Sequence, residues 1–282
     1  MRLVLPTTAL LLATRHAPPR MESRAIKRAG DLVTCDRWYV QPPKSFETMA
    51  SQAARSMLAA REHRPRLVIE SAAAELDPTT PAYKQQELVS FAIDVATPLL
   101  ERGDLPKSKP HVKLLFSNQM DATLAGASVM NTGLPVSMLG HPSAIGPRDG
   151  AFVAVAPTSS PDIDTERALN DLVQAAGVRT VVVVNPRLGN APVLQTFEPA
   201  YMMRPLSVGF MRNQLAKQVE RVPACLLRCY PHEWSLLFAA SKERASWRYA
   251  GRFERQPRVE EVEKVLQRAI NEARDEGVLE QS

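Results

Sequence analysis

Residues 151–189 read AFVAVAPTSSPDIDTERALNDLVQAAGVRTVVVVNPRLG, two short apolar runs on either side of an amphipathic segment. The runs, Ala151–Ala156 and Val181–Val184, are too short for buried helices and are rich in valine, as strands covered on both faces are. Apolar residues recur between them at helical spacing, and Gly177 can end that helix. Strand, helix and strand in this order predict a βαβ unit whose strands are parallel neighbours with a right-handed crossover.

The same alternation of elements continues toward the N-terminus. The pattern predicts a helix capped by Ser45, a strand at Leu67–Glu70, a helix at Tyr83–Glu101, a strand at Val112–Phe116 and a short helix at Asn118–Ala125. Such alternation is typical of α/β proteins, and we predict a three-layer, Rossmann-like fold with a mostly parallel sheet between helices.

Residues 126–150 interrupt the alternation, because they contain five of the chain's 12 glycines. This composition predicts a long surface loop, with a short edge strand at Pro135–Leu139. Loops of this length in compact domains are usually functional or disordered, and the sequence leaves both interpretations open.

The C-terminal third has a different pattern. Three runs, Ala224–Tyr230, Trp234–Ala240 and Trp247–Phe253, predict an antiparallel meander whose aromatic side chains pack across the strands. Pro257 then precedes a C-terminal helix with an apolar stripe that starts at Val259.

The net charge of +5 belongs to the N-terminal segment. Residues 1–46 hold eight Lys and Arg against three Asp and Glu, whereas residues 47–282 hold 27 of each sign. Nucleic-acid binding requires a basic face, so the neutral body predicts no nucleic-acid partner. No apolar run approaches the ~20 residues of a membrane-spanning helix, so no integral membrane segment is predicted.

Residues 1–40 resemble a targeting segment. A short apolar run at Leu3–Ala13 is followed by several arginines, and no acidic residue occurs before Glu22. Basic, acid-poor N-termini of this kind are typical of organelle presequences, so we predict a disordered plastid presequence. A basic tail without a function is the alternative.

The three cysteines, Cys35, Cys225 and Cys229, are few and odd in number, which indicates a reducing compartment rather than a disulfide framework. Cys225, Cys229 and His232 are conceivable metal ligands. On a strand, however, four residues span about 13 Å, too far for both sulfurs to reach one ion. We therefore predict buried structural thiols and no metal.

Polar side chains follow several of the predicted parallel strands. In open parallel sheets, ligands bind beyond the carboxyl ends of the strands. The candidate ligand-binding residues at those ends are Ser117, Asp121, Ser159, Asp162, Asn185 and Arg187. Asn185 and Arg187 could hold a carboxylate or a phosphate, with Asp121 or Asp162 as acid or base. Ordinary helix caps and turns are the alternative, because residues 157–162 lack glycine and their acidic side chains suit a helix N-terminus.

Catalytic motifs are missing from the sequence, so we predict no catalytic residue and no cofactor. The dinucleotide fingerprint, the phosphate-binding P-loop and the G-x-S-x-G elbow are all absent. His232 and Glu233 begin like the zinc-protease motif H-E-x-x-H, but Leu236 occupies the position of the second histidine.

Seven stretches together resemble the domain of unknown function 1995 family of plastids and cyanobacteria. They are PKSFETMASQAARSML, RLVIE, KLLFSNQMDATL, FVAVAPTSSPDIDTE, VVVVNPRLG, CLLRCYPHEWSLLF and YAGRFERQP. The resemblance implies one α/β domain at residues 42–276. Because members include a chloroplast protein that helps to assemble photosystem II, it also implies a soluble, non-enzymatic auxiliary protein of the chloroplast stroma or the stromal face of the thylakoid.

The partner that the resemblance implies is a protein, such as a thylakoid or photosystem assembly component. A small-ligand-binding protein or an enzyme that acts on an anionic substrate at the strand ends is the alternative function.

Overall fold

The computed structural model describes residues 3–4, 40–101, 111–130, 132–159, 164–213, 218–240, 247–277 and 279. The helices of this described part are α1 (Phe46–Arg61), α2 (Gln85–Glu101), α3 (Gln119–Ser128), α4 (Thr165–Ala176) and α5 (Val259–Asp275). The strands are β1 (Leu3–Val4), β2 (Arg66–Ser71), β3 (His111–Phe116), β4 (Val136–Met138), β5 (Asp149–Val155), β6 (Thr180–Val184), β7 (Glu198–Asn213), β8 (Gln218–Cys229), β9 (Trp234–Ala239) and β10 (Trp247–Phe253). They form one sheet in the order β10-β9-β8-β7-β2-β6-β5-β3-β4, with β1 beside β7.

The predicted βαβ unit is present as β5, α4 and β6. The two strands pair in parallel, with Val153 opposite Val182. The side chain of Asp164 caps α4 by accepting a hydrogen bond from the Arg167 amide at 3.0 Å. The helix ends at Gly177, whose φ of +58° lies in the left-handed region that glycine adopts without strain.

The valine runs are continuous because helices cover both faces of the sheet. Val182 and Val184 face a layer that α1, α2 and α3 form, whereas Val181 and Val183 face α4. α5 lies on the same side as α4 and packs against the antiparallel strands through Leu266. The predicted three-layer, mostly parallel α/β fold is thereby confirmed.

β7 is the strand at which the sheet changes from parallel to antiparallel pairing, and no local pattern in its sequence predicts it. Its first residues pair in parallel with β2, and β8 pairs antiparallel along its length. β8, β9 and β10 form the predicted meander, in which Phe253 lies opposite the buried Trp234.

Residues 126–150 are only partly the surface loop that their composition predicts. The expected edge strand is present as β4, which pairs in parallel with β3. Leu139 and Asp149 are buried, and the Asp149 carboxylate lies 2.7 Å from the Lys113 ammonium. This segment therefore packs against the sheet.

The apolar stripe of α5 also begins later than predicted, because Val259 is exposed and Val262 is the first buried residue.

Cys225 and Cys229 lie in β8, where both are buried and free. Burial raises the pKa of each thiol to about 12, so both stay protonated, as expected of structural cysteines.

Cys35 lies outside the described residues, as does most of the predicted presequence, which stays a prediction. Two of the presequence residues form β1, where Val4 lies opposite Ser207 of β7. Every helix of the described part is too short or too polar to span a bilayer.

Candidate functional site

The carboxyl ends of β2, β3, β5 and β6 lie at one edge of the parallel half of the sheet. After β3 the chain enters α3 on one face, and after β5 it enters α4 on the other. Ligands bind in crevices that form where such connections diverge. Here the crevice is crossed by residues 72–85, which run from the end of β2 to the first residue of α2 and which we call the strand-end segment.

Asn185 follows β6 and is completely buried. Its backbone is left-handed, with a φ of +47°, a conformation that asparagine tolerates better than most residues. Its side-chain oxygen accepts a hydrogen bond from the Ser71 amide at 2.6 Å, and its side-chain nitrogen donates to the Leu76 carbonyl at 3.4 Å. Asn185 therefore ties the end of β6 to β2 and to the strand-end segment, and it presents no surface to a ligand.

Arg187 is paired with Asp77 of the strand-end segment. Its Nε lies 3.0 Å from the carboxylate, and the two side chains are 16% and 20% exposed. Burial acts to raise the pKa of Asp77, but hydrogen bonds from Thr79 and the nearby Arg187 cation outweigh it and hold the pKa below its ordinary value. The charge on Arg187 is therefore already balanced within the chain.

Asp121 lies in the first turn of α3 and is also held by its neighbours. One carboxylate oxygen accepts a hydrogen bond from the Gln85 side chain, and the other accepts one from the Asn118 side chain at 2.6 Å. Asn118 in turn caps α3, because its side-chain oxygen accepts from the Asp121 amide at 2.7 Å. Asp121 thus connects α3 to the strand-end segment.

Tyr83 brings an unpaired polar atom to this end of the sheet. Its hydroxyl is buried and has no hydrogen-bond partner among the described residues. Burial first, and then the negative charge of Asp121, raise the pKa of Tyr83 to about 12. The phenol therefore stays protonated at neutral pH, and its hydroxyl remains a hydrogen-bond donor.

The other candidate residues do not join these groups. Ser117 is buried at the end of β3, Ser159 is exposed after β5, and Asp162 lies outside the described residues. In the β5 loop, the Pro157 carbonyl rather than a side chain contacts Arg187, accepting a hydrogen bond from its amide at 2.8 Å. The candidate residues therefore lie at the ends of three different strands, β6, β3 and β5. The strand-end segment contacts the candidates at the ends of β6 and β3.

Sequence reasoning missed the strand-end segment, which supplies Asp77 and Gln85. Its signal is the sequence Asp77-Pro78-Thr79, which is typical of a turn. The Asp77 carboxylate indeed accepts a hydrogen bond from the Thr79 amide at 2.9 Å. That signal predicts the turn, but not the pairing of its carboxylate with an arginine far along the chain.

Two surface depressions lie away from the strand ends. One, of about 340 Å³, borders α3 and β4, and the other, of about 370 Å³, lies between Phe253 and Glu261 at the start of α5. Within the described ranges, no group of three His, Cys, Asp or Glu side chains is placed to hold a metal ion. At the strand ends, Asn185, Arg187 and Asp121 are each paired within the chain, whereas the Tyr83 hydroxyl and one carboxylate oxygen of Glu75 are buried without a hydrogen-bond partner among the described residues.

A search of curated proteins gives no match. A family model does match the chain over residues 43–264, and its description is a domain of unknown function (DUF1995). The matched range runs from before α1 into α5 and so includes the strand-end segment and every side-chain pairing described for the strand ends. The protein therefore belongs to the DUF1995 family.

Proposed function

We propose that the protein is a non-enzymatic auxiliary protein of the plastid, which binds other proteins and supports the assembly of photosystem II. The observation that carries the non-enzymatic part is the internal pairing of Asn185, Arg187 and Asp121. An enzyme of this architecture would present such side chains to its substrate. The plastid and photosystem parts are supported by the family resemblance and by the basic, acid-poor residues 1–40.

The Arg187–Asp77 pair explains why an anionic ligand is disfavoured at the strand ends. An anion that bound Arg187 would displace Asp77 and leave a partly buried carboxylate without its cation. The ligand would have to offset that loss before it gained any affinity. Asn185 offers no second anchor, because it has no exposed surface.

Disruption of the gene, followed by measurement of photosystem II in thylakoids, tests the assembly role. We expect lower photosystem II levels, which the full chain restores. A chain without residues 1–40 is the matched control, and it should fail to restore them because it lacks the presequence. Unchanged photosystem II levels in the disrupted line would contradict the assembly role.

A thermal-shift experiment with the full chain tests the non-enzymatic part. We expect Arg187→Ala to lower the Tm, because Asp77 loses its partner, whereas Arg167→Ala removes the same charge from a side chain that is 78% exposed and should change little. Inorganic phosphate and citrate should leave the Tm of the wild type unchanged. An anion that raises the Tm of the wild type but not of Arg187→Ala would favour the ligand-binding alternative.

A further inference from the structure

β7 extends well beyond the end of its neighbour β2. Of its 16 residues, those up to Met203 pair with β2, whereas β8 pairs with β7 as far as Asn213. The Ala72 amide, just after β2, donates to the Met203 carbonyl at 3.0 Å, and from Arg204 onward β7 has no β2 residue beside it. We use the name β7 edge for residues 205–209 on the side that β2 has left.

The β7 edge presents backbone donors and acceptors. Backbone groups of successive strand residues point to opposite sides, and the carbonyl of Met203 points toward β2. Pro205, Ser207 and Gly209 therefore point to that side as well. Proline has no N–H, so the N–H groups of the β7 edge are those of Ser207 and Gly209. Such a row of groups can pair with another extended segment.

β1 occupies part of the β7 edge. It pairs antiparallel with β7, with Val4 opposite Ser207 and Leu3 opposite Val208. In an antiparallel pair, opposite residues alternate between exchanging two backbone hydrogen bonds and exchanging none. Because Ser207 points toward β1, Val4 and Ser207 are the pair that exchanges them. The occupant of the β7 edge is thus an extended segment that pairs through its backbone.

β1 and β7 belong to different parts of the chain. β7 lies within the range 43–264 that the family model matches, whereas β1 lies before it, in residues 1–40. Cleavage between the two parts would take β1 away and leave the backbone groups of Ser207 and Gly209 without it. Uncovered strand edges of this kind bind extended segments of other proteins by adding them to the sheet.

We propose that β1 guards the β7 edge in the full chain, and that an extended segment of a partner protein pairs there once residues 1–40 have been removed. The inference rests on the proposed function, because it takes residues 1–40 to be a presequence. β1 belongs to the same chain as β7, so it competes with a free segment at an effective concentration on the order of millimolar. The precursor therefore binds the partner segment more weakly than the processed protein does.

Amide hydrogen exchange of the full chain, measured by NMR, tests the guard. Val4→Pro removes the N–H that β1 donates to Ser207, and we expect the Ser207 amide to exchange about tenfold faster in this variant than in the wild type. Leu3→Pro is the matched control, because the N–H of Leu3 points away from β7 and its loss should change little. The Val208 amide points toward β8 and should exchange slowly in all three chains.

A peptide of residues 1–8, MRLVLPTT, stands in for the partner segment. Added at a few millimolar, which exceeds the effective concentration of the tethered β1, it should restore slow exchange of the Ser207 amide in Val4→Pro. If Val4→Pro also accelerates exchange at Val208, a chain without residues 1–4 repeats both measurements without a new proline.

Three results would overturn the proposal. Equal exchange of the Ser207 amide in the wild type and Val4→Pro would mean that β1 does not guard the edge. Failure of the peptide to slow that exchange would mean that the edge accepts no strand from another molecule. A dimer of Val4→Pro in size-exclusion chromatography would assign the edge to a second copy of the chain. All three are measured on the isolated chain, so they are distinguishable from a failure of the assembly role in the gene disruption.

Discussion

α3 and α5 lie toward opposite ends of the same sheet, and they differ on both of their faces. α3 packs near β3 and β4, whereas α5 packs against β9 and β10. The inner face of α5 buries large side chains such as Leu266 and Ile270, while that of α3 buries only small ones, Ala122 and Ala125. The outer face of α5 is charged and includes exposed Glu260, Lys264, Arg268, Glu272 and Asp275, whereas the outer face of α3 consists of exposed Gln119, Met120, Thr123, Leu124, Ala127 and Ser128.

This difference distinguishes the features of a helix surface that folding requires from those that it does not require. A surface helix needs one apolar stripe toward the core and a polar face toward water, and α5 meets both requirements. α3 buries only the small side chains of Ala122 and Ala125, and its outer face mixes polar residues with Met120 and Leu124, whose apolar side chains are exposed without contributing to the core. Folding therefore explains both faces of α5, but it does not explain the exposed apolar side chains of α3.

The largest expected effect concerns the buried anchors of the two helices. Leu266→Ala should lower the free energy of unfolding by about 2–5 kcal/mol, because it leaves a cavity under α5. Ala125→Gly should cost about 1 kcal/mol, mainly through helix propensity. Urea unfolding of both variants measures the difference. Equal losses would show that α3 is anchored as firmly as α5 and would break the comparison.

Glycine substitutions should give effects of opposite sign at the two helices. A Cβ at Gly251 in β10 would lie 2.7 Å from Cγ1 of Val265 in α5, so Gly251→Ala must displace the Val265 side chain or the helix that carries it, at a cost of about 1–3 kcal/mol. A Cβ at Gly126 in α3 meets nothing within 4 Å. Gly126→Ala should therefore stabilise the protein by about 0.5–1 kcal/mol.

Thermal unfolding of the two alanine variants checks both signs in one experiment. A stabilised Gly251→Ala variant would mean that α5 is packed less closely than the distance to Val265 indicates. A destabilised Gly126→Ala variant would mean that α3 needs a glycine for a reason other than space.

The smallest expected effect concerns the pH dependence of the helix starts. The Glu261 carboxylate accepts a hydrogen bond from the Arg258 amide at 2.7 Å, and the Arg255 guanidinium lies 2.7 Å away. These bonds, the one from the Arg258 amide first, hold the pKa of Glu261 below its ordinary value. A lowered pKa in the folded state stabilises the protein above the ordinary value of about 4.3, and this stabilisation is lost as the pH falls through the folded-state pKa.

Glu261→Gln should therefore lower the Tm slightly at neutral pH, and the difference from the wild type should shrink as the solution becomes acidic. Measuring the Tm of both chains across the acidic range checks this expectation. The N-cap of α1 is the hydroxyl of Ser45, which does not titrate, so Ser45→Ala should give a difference that is independent of pH. A constant difference for Glu261→Gln would remove this contrast between the helices.

The elements that were predicted correctly are those with a strong local pattern. β5, α4 and β6 follow from valine runs and helical spacing, and Ser45 was recognised as the cap of α1, where it accepts a hydrogen bond from the Thr48 amide at 3.1 Å. The candidate residues Asn185 and Arg187 were placed correctly at the end of β6. Their partners were not predicted, because no local pattern relates the end of β6 to Ser71 at the end of β2 or to Leu76 and Asp77 in the strand-end segment.

By itself, then, the sequence determined the periodic elements, the neutral charge of the body and the α/β class, because these depend on residues within a few turns or strands of one another. Only the tertiary structure decided the strand that joins the two halves of the sheet. The Ala72 amide donates to the Met203 carbonyl at 3.0 Å, so the backbone groups of Met203 point toward β2. Pro205, two residues later, has the same orientation, but β2 has already ended there. The N–H that proline lacks is therefore not needed by β2. A proline is tolerated in a strand only where no neighbouring strand needs its N–H. The pairing of distant segments decides which strand residues have such a neighbour, so the sequence alone does not show it.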